Sequence, residues 1–422
     1  MLKLLSRENS PRFHLIPSAL RRPNIAAVDT LSIPAFRYLW GSSGLTKMAG
    51  QIRVLTVAWL VLDLTDSQLW VGLVNGLPAV AIAALSVLGG VLVDRTNPRA
   101  MLLRTRLTMA VSAFLAAFLV TAGMIEVWHL IVLSFLLAGG NGMDLVAEQK
   151  WIGALVSKER LLNALSLSKA ATNIAQIAGP ALGGIILAWL GASAALWALA
   201  AAFGLALAAL ARFPGNTTAQ KRITNSAMRD LSEGFRYVGR TQHVRWLVIL
   251  GGVAVLPYCF IPLMPAHVRD TLNAGPDKLG FLLGCYGLGG LAGSLFLTLL
   301  NDVSRKGLAM VGAALGLSLA LVGLAFSHSF YVSAGCMVVI GVMWVVWQNN
   351  VNTMFQTTVP PEMQGRVIGI NKILYQGQLS WLVVGLLAAA FGQFATFLIG
   401  GAVFTLANLI AYCRTPELRH PD

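Results

Sequence analysis

The chain has 422 residues, of which 56% are hydrophobic and 11% are charged, whereas soluble domains carry about 25% charged residues. Its apolar residues lie in long uncharged runs, and a helix that crosses a bilayer needs about 20 such residues. These proportions exclude a soluble globular protein. They predict an all-α, polytopic membrane protein with twelve transmembrane helices in two six-helix halves.

The net charge of +14 is better explained by membrane topology than by nucleic-acid binding. With twelve spans placed on the sequence, 27 of the 31 Lys and Arg residues fall on one side of the membrane, and only Arg269 and Lys278 fall on the other. Basic residues accumulate in cytoplasmic loops. We therefore expect a bacterial inner-membrane protein with both termini in the cytoplasm, surrounded by lipid and without a nucleic-acid partner.

Reporter fusions test this orientation. A fusion at Arg414 should report the cytoplasm and a fusion at Asn273 the periplasm, because the distribution of basic residues sets the direction of insertion. A periplasmic signal at Arg414 would overturn the topology.

Charge and turn signals divide the chain into five segments. The first is basic and lacks the apolar core and cleavage site of a signal peptide, so we expect it to stay attached and cytoplasmic. A polar linker between the halves carries mixed charge around Leu231, Phe235 and Val238, which predicts a short amphipathic helix on the membrane surface. The predicted segments are the N-terminal segment (1–35), the N-terminal half (36–212), the linker (213–244), the C-terminal half (245–413) and the tail (414–422).

Four charged residues interrupt the apolar runs of the N-terminal half. Lys47 and Arg53 lie in the first span, and Asp144 and Glu148 lie four residues apart on one face of the fourth span. Ionisable groups at membrane depth are costly and usually mark ion or substrate paths. These four residues are therefore the first candidates for a functional site.

The loop after the second span contains Gly90, Asp94, Arg95 and Arg99. It resembles the loop between helices 2 and 3 of the major facilitator superfamily, where a glycine is followed by an acid four residues later and by basic residues around a tight turn. Asn97 stands where the family has its turn glycine, and Asn tolerates the left-handed conformation. The resemblance implies a cytoplasmic gate at which Asp94 accepts hydrogen bonds. The alternative is a basic topogenic loop with an incidental acid.

The fifth span contains a motif similar to the glycine–proline motif in helix 5 of the superfamily's proton-driven exporters. Glycines let helix backbones approach closely, and proline bends a helix, so this helix is expected at the moving interface between the halves. The alternative is an ordinary seam of small residues. The motif residues are Gly179, Pro180, Gly183 and Gly184.

Further matches narrow the resemblance to the bacterial drug and siderophore exporters, and it extends from about Phe36 to Arg414. They lie in 159–164 with Asn173, in 233–237 and in 361–367. The window before the fifth span also resembles the window before the eleventh, with Glu159 aligned to Glu362, which indicates duplicated halves.

The major facilitator fold implied by this resemblance places helices 1 and 4 of each half across a central cavity. We therefore expect Lys47 to pair with Glu148 near the cytoplasmic side, and Arg53 with Asp144 near the midplane. The related exporters have an arginine in place of Glu148 and an acid in helix 1, so the signs are reversed here. Protonation of Asp144 or Glu148 would weaken its pair and couple transport to protons. The alternative is that the pairs only hold the helices together.

Polar and aromatic residues within other spans suit a cavity for an amphipathic ligand, although each alone could equally join two helices. The candidate cavity residues are Asn141, Asn173, Gln176, Tyr258, Trp344, Trp347, Gln348, Asn349, Asn352, Tyr375 and Gln376.

The sequence has no metal-ligand spacing, nucleotide-binding loop or hydrolase motif, and no histidine is placed deep in a span. We expect no metal, no cofactor, no enzymatic activity and a monomer. The function expected is export of a small drug-like or siderophore-like molecule by proton antiport with alternating access. The alternatives are an importer of an anionic metabolite, clamped by Arg53 and Lys47, or a membrane-embedded enzyme or signalling protein.

Overall fold

A computed structural model of the chain describes residues 30–78, 97–212, 227–299, 306–374 and 377–415. Nearly all of these residues are helical. Five residues that the sequence analysis singled out lie outside the described part of the chain: Gly90, Asp94, Arg95, Tyr375 and Gln376.

The described helices run in chain order as follows: α1 (Pro34–Thr65), α2 (68–78), α3 (Pro98–Thr121), α4 (Val127–Leu155), α5 (Lys158–Ala211), α6 (Ala227–Arg240), α7 (Gln242–Val253), α8 (Phe260–Ala266), α9 (Pro276–Leu299), α10 (Lys306–Ala325), α11 (Phe330–Thr358), α12 (Pro361–Leu374) and α13 (Gly377–Arg414). A 3₁₀ turn leads into α8 and a π turn, His267–Thr271, leaves it.

Within the described residues, nine helical stretches are long and apolar enough to cross a membrane. Two of them, α5 and α13, are broken by a glycine with non-helical backbone angles, at Gly191 and Gly392. Each therefore consists of two arms. Counting each arm separately gives eleven crossings, and α2, of which residues 68–78 are described, is the candidate for the twelfth.

Contacts made by α1 show that the two arms of α5 run in opposite directions. Ser168 in the first arm meets Lys47, and Ala206 in the second arm accepts a hydrogen bond from Ser42. Two residues 38 positions apart in one continuous helix could not both lie beside the same turns of α1, at about 1.5 Å of rise per residue. The chain therefore reverses at Gly191.

The start of α3 corrects one expectation. Asn97 was expected to adopt a left-handed turn, but its φ is −68° and its ψ is 122°, and its side chain caps the helix by accepting a hydrogen bond from Arg99 N at 3.0 Å. The reason is local. Pro98 restricts the preceding residue to extended backbone, and Asn is among the best N-cap residues.

The amphipathic helix expected in the linker is present as α6. Its buried side is Gly234 and Val238, and Phe235 is exposed. Glu233 pairs with Arg366 of α12 at 2.8 Å. The linker is thus attached to the C-terminal half where α12 begins.

We call the end of the bundle that carries Asp66, Asn273 and Gly392 the Asp66 end. There the two halves approach each other closely: Gln68 of α2 donates to Gln393 of α13, and Arg269 pairs with Asp66 at 2.9 Å. The contacts between halves that we find among the described residues concentrate at this end and extend to mid-helix.

Candidate functional site

The first charged group of the site joins three helices of the N-terminal half. Lys47 Nζ lies 2.9 Å from Glu148 Oε1, which confirms the predicted pairing. Ser168 Oγ donates to the same carboxylate oxygen at 2.7 Å, and Lys47 Nζ lies 3.0 Å from Ser168 Oγ. The side chain of Lys47 is 19% exposed, whereas that of Glu148 is 4% exposed. The carboxylate of the pair is therefore buried inside the half, whereas its lysine is partly exposed.

The second group contains an arginine that the sequence analysis missed. Asp144 accepts from Arg106 Nε at 3.1 Å and from Thr105 Oγ1 at 3.0 Å, both on α3. Arg106 has no exposed surface, and its other nitrogens donate to the hydroxyls of Ser42 and Ser43 on α1. The guanidinium thus connects α1, α3 and α4.

The predicted pairing of Arg53 with Asp144 is wrong. Arg53 is buried, and its Nε and Nη1 have no hydrogen-bond partner among the described residues. At about 100° per residue, the side chains of Lys47 and Arg53 point in directions roughly 120° apart around α1. They lie on different faces, so they cannot both meet two acids that share one face of α4.

The glycine–proline motif lies where α5 crosses two other helices. A Cβ at Gly179 would be 2.5 Å from Gln51 Cβ, and one at Gly183 would be 3.2 Å from Ile52 Cα, both on α1. One at Gly184 would be 2.7 Å from Gly280 Cα on α9 of the other half. The predicted position of this helix at the interface between the halves is confirmed.

A second close crossing joins the halves on the other side. A Cβ at Gly72 of α2 would lie 2.7 Å from Gly385 Cα and 2.5 Å from Trp381 O, both on α13. The α2–α13 and α5–α9 crossings together form what we call the glycine seam.

Two of the expected cavity residues belong instead to the core of the C-terminal half. Trp344 is 5% exposed and Trp347 is 1% exposed. Trp347 Nε1 donates to Asn408 at 2.8 Å, and its ring packs on Phe404. Tyr258 stacks at a tilt on Trp344, with ring centroids 5.1 Å apart. Indoles bury large apolar surfaces when their N–H finds a partner, so these side chains stabilise helix packing in this conformation.

The remaining described cavity candidates are polar residues that are partly or fully exposed within spans. Gln176, Asn349 and Asn352 are exposed, and the others are intermediate: Asn141, Asn173 and Gln348. Of the predicted gate, Arg99 is described, and its Nη2 donates to Ala211 O at the end of α5 at 3.3 Å. The rest of the gate lies outside the described residues and stays a prediction.

A family model described as transmembrane secretion effector matches residues 25–421, almost the whole chain. The chain belongs to this family of major facilitator transporters. Membership of the transmembrane secretion effector family agrees with the helical fold and with the two halves that meet at the glycine seam. It also places the chain among multi-pass membrane transporters rather than enzymes.

Curated relatives of this secretion-effector chain are efflux proteins of similar length. The multidrug efflux pump Tap of Mycolicibacterium fortuitum is 26% identical over 393 residues, covering 90% of this chain and 95% of Tap. The enterobactin exporter EntS of Shigella boydii is 25% identical over 340 residues, covering 80% of each chain. Among solved structures, the nucleoside transporter NupG superposes with a TM-score of 0.75 at 11% identity, covering 90% of this chain and 98% of NupG. That likeness shows the fold.

The glycine seam makes a testable prediction for this family member. Gly72→Ala and Gly184→Ala should favour conformations in which the halves separate at the Asp66 end, because the added methyl would meet backbone atoms of the opposite half within 2.7 Å. Amide hydrogen exchange in α2 should accelerate. Gly153→Ala is the matched control, since a Cβ there meets nothing within 4 Å. Unchanged exchange in both seam variants would contradict the prediction.

Proposed function

We propose that this chain exports a small amphipathic molecule, drug-like or siderophore-like, across the bacterial inner membrane by proton antiport. It works as a monomer with both termini in the cytoplasm. The names and full-length similarity of Tap and EntS support export. The close contact of the glycine–proline helix with the other half supports alternating access, in which one half rocks against the other.

The observation that carries the coupling step is the pair of Lys47 with Glu148. A proton on Glu148 removes the negative charge that holds Lys47 and leaves the lysine with neutral acceptors alone, namely the carboxyl group and Ser168. Because the pair ties α1 to α4 and α5, its loss shifts the balance between conformations. Asp144 is less suited to this role, since its partner Arg106 is fully buried and pairs with no other acid among the described residues.

The exposed polar residues of α5 and α11 support a ligand cavity between the halves. Lipid-facing positions rarely carry amides, because an unsatisfied polar group in hydrocarbon is costly. Gln176, Asn349 and Asn352 are exposed on helices that cross the membrane. They are best accommodated on a water-filled path for an amphipathic substrate.

A second candidate function follows from Arg53. Its buried guanidinium, whose Nε and Nη1 have no hydrogen-bond partner in the described part of the chain, favours binding of an anionic group. This fits import of an anionic metabolite. Lys47 would not share in that clamp, because it is engaged by Glu148 and lies on another face of α1.

Transport assays separate these functions. Cells that express the chain should accumulate less of a responsive dye, antibiotic or siderophore than cells without it, and a protonophore should abolish the difference. Import predicts instead a higher accumulation of an anionic compound that Arg53→Gln abolishes. Efflux that persists after the proton gradient is collapsed would contradict proton antiport.

A further inference from the structure

A buried histidine at the Asp66 end belongs to a polar chain that the transport proposal does not use. His267 lies in the π turn after α8 and is 1% exposed. Its Nδ1 is 3.0 Å from Gln393 Nε2, and its Nε2 is 3.4 Å from Ser333 Oγ. Gln393 in turn meets Gln68 of the N-terminal half at 3.3 Å.

One carbonyl oxygen determines the direction of each hydrogen bond in this series of polar groups. Ser329 O can only accept, so the hydroxyl of Ser327 donates to it at 2.9 Å. Ser327 therefore accepts from Ser333 at 2.9 Å, and Ser333 must accept from His267 Nε2. A neutral imidazole carries one N–H, so His267 Nδ1 accepts from the amide of Gln393.

The same direction extends to the contact between the halves. Because the amide nitrogen of Gln393 points at His267, its oxygen faces the opposite half and accepts from Gln68 Nε2. A second proton on His267 would place an N–H against the NH₂ of Gln393. The Gln393 amide would have to turn, and its NH₂ would then face the NH₂ of Gln68. With the amides oriented as in this structure, the hydrogen bond between the halves therefore requires neutral His267. A second proton can be accommodated only if both amides rotate within the packed interface, which leaves Gln68 Nε2, instead of Gln68 Oε1, without a partner among the described residues.

The surroundings of the ring also disfavour an imidazolium in this conformation. The groups that interact with the ring in the described part of the chain are uncharged: the amide of Gln393, the hydroxyl of Ser333 and the ring of Phe397, which is nearly perpendicular to the imidazole with centroids 6.0 Å apart. Two residues later, Arg269 adds a positive charge. The nearby acids already engage Arg269, with Nη1 to Asp66 at 2.9 Å and Nε to Asp270 at 2.7 Å, while Asp63 lies 3.9 Å away.

Protons can approach this ring from the Asp66 end. A pocket of about 270 Å³ is lined by Gln393 and Phe397, both of which contact His267, and by the exposed His328. The α13 residues beside the ring are uncharged, so His328, Arg269 and the three aspartates are the titratable or charged groups around it in the described part of the chain.

We propose that His267 is a proton-binding residue that controls separation of the halves at the Asp66 end. The open conformation exposes the ring and binds a proton, whereas the closed conformation of this structure holds it neutral. By linkage, lowering the pH favours the open conformation and raising it favours the closed one. This inference goes beyond proton-coupled export, because it concerns a conformational equilibrium that exists without substrate.

Distances between spin labels test the proposal without transport. Labels at Met124→Cys and Tyr331→Cys report on the Asp66 end, since both positions are exposed and lie in opposite halves. The background replaces Cys336 and Cys413 with serine, because the other two cysteines are buried. In lipid nanodiscs, the short distance of this structure should dominate at pH 8, and a longer distance should gain population at pH 5.5.

Three variants complete the test. His267→Gln should keep the short distance at both pH values, and His328→Gln, the control, should respond as the parent does. Gln393→Glu places a carboxylate beside Nδ1, so the closed conformation tolerates the proton and opening should move about one to three pH units lower. The proposal fails if His267→Gln retains the parent response, or if the parent distances do not change with pH. If the spin-label distances respond to pH as expected but the protein shows no efflux, only the transport proposal is contradicted.

Discussion

Asp144→Asn should yield a protein of much lower stability, with a free energy of unfolding reduced by about 3 to 5 kcal/mol, the usual cost of removing one partner from a buried ion pair. Asparagine retains an oxygen that can accept from Thr105, so the loss is chiefly that of charge. Arg106 would remain fully buried with neutral acceptors alone, namely the hydroxyls of Ser42 and Ser43 and the new amide oxygen. Thermal unfolding of the detergent-solubilised protein, together with its membrane level, measures the effect.

The control is Glu126→Gln, which neutralises an exposed acid at the Asp66 end. The glutamine oxygen can still cap α4 and accept from Trp128, so the free energy of unfolding should fall by less than about 1 kcal/mol. A double variant, Asp144→Leu with Arg106→Met, should recover most of the lost stability, because replacing a buried ion pair by apolar residues is often neutral. A wild-type melting temperature for Asp144→Asn would show that Arg106 does not need its carboxylate.

The sequence predicted those features of the site that depend on the spacing of residues along a single helix. Glu148 pairs with Lys47 as expected, and the α5 glycines lie at the predicted interface, because small residues mark close helix crossings. The same spacing rule, applied to α1, would have placed Arg53 on a different face from Lys47. The sequence alone was therefore sufficient to reject the pairing of Arg53 with Asp144.

Arg106 was missed for a different reason. It is one of the 27 basic residues that the sequence places on the cytoplasmic side of the membrane, whereas the structure places it in α3 with no exposed surface. A cation near the predicted end of a span can either set the membrane topology from a loop or pair with a buried acid inside the bundle. Only the packing of α1 against α3 and α4 decides between them.

The aromatic residues of α11 show a similar limit. Trp344 and Trp347 have the composition of a ligand cavity, yet they fill the core of the C-terminal half. Their role depends on Asn408, 61 residues after Trp347, which accepts the indole hydrogen bond. Long-range partners of this kind leave no local pattern. The polar chain through His267 was missed likewise, because its members come from four separate segments.

Glu148→Gln should affect transport rather than stability, the opposite of what we expect for Asp144→Asn. Lys47 is partly exposed and keeps the hydroxyl and carbonyl of Ser168 as acceptors, so the protein should fold and insert normally. The lost charge-assisted hydrogen bond is worth about 1.5 to 3 kcal/mol, which corresponds to roughly a tenfold or larger shift in a conformational equilibrium.

Proton-driven efflux from everted vesicles should therefore fall roughly tenfold or more, while substrate exchange without a proton gradient should persist, because the variant mimics a permanently protonated acid. Ser168→Ala is the matched control, since it removes one hydrogen bond from the same carboxylate and leaves both charges in place. It should keep proton-driven transport. Normal proton-driven efflux by Glu148→Gln would remove this acid from the coupling step. Equal loss of exchange and of proton-driven efflux would instead assign the pair a structural role, because a group that only holds α1 against α4 affects every transport mode alike.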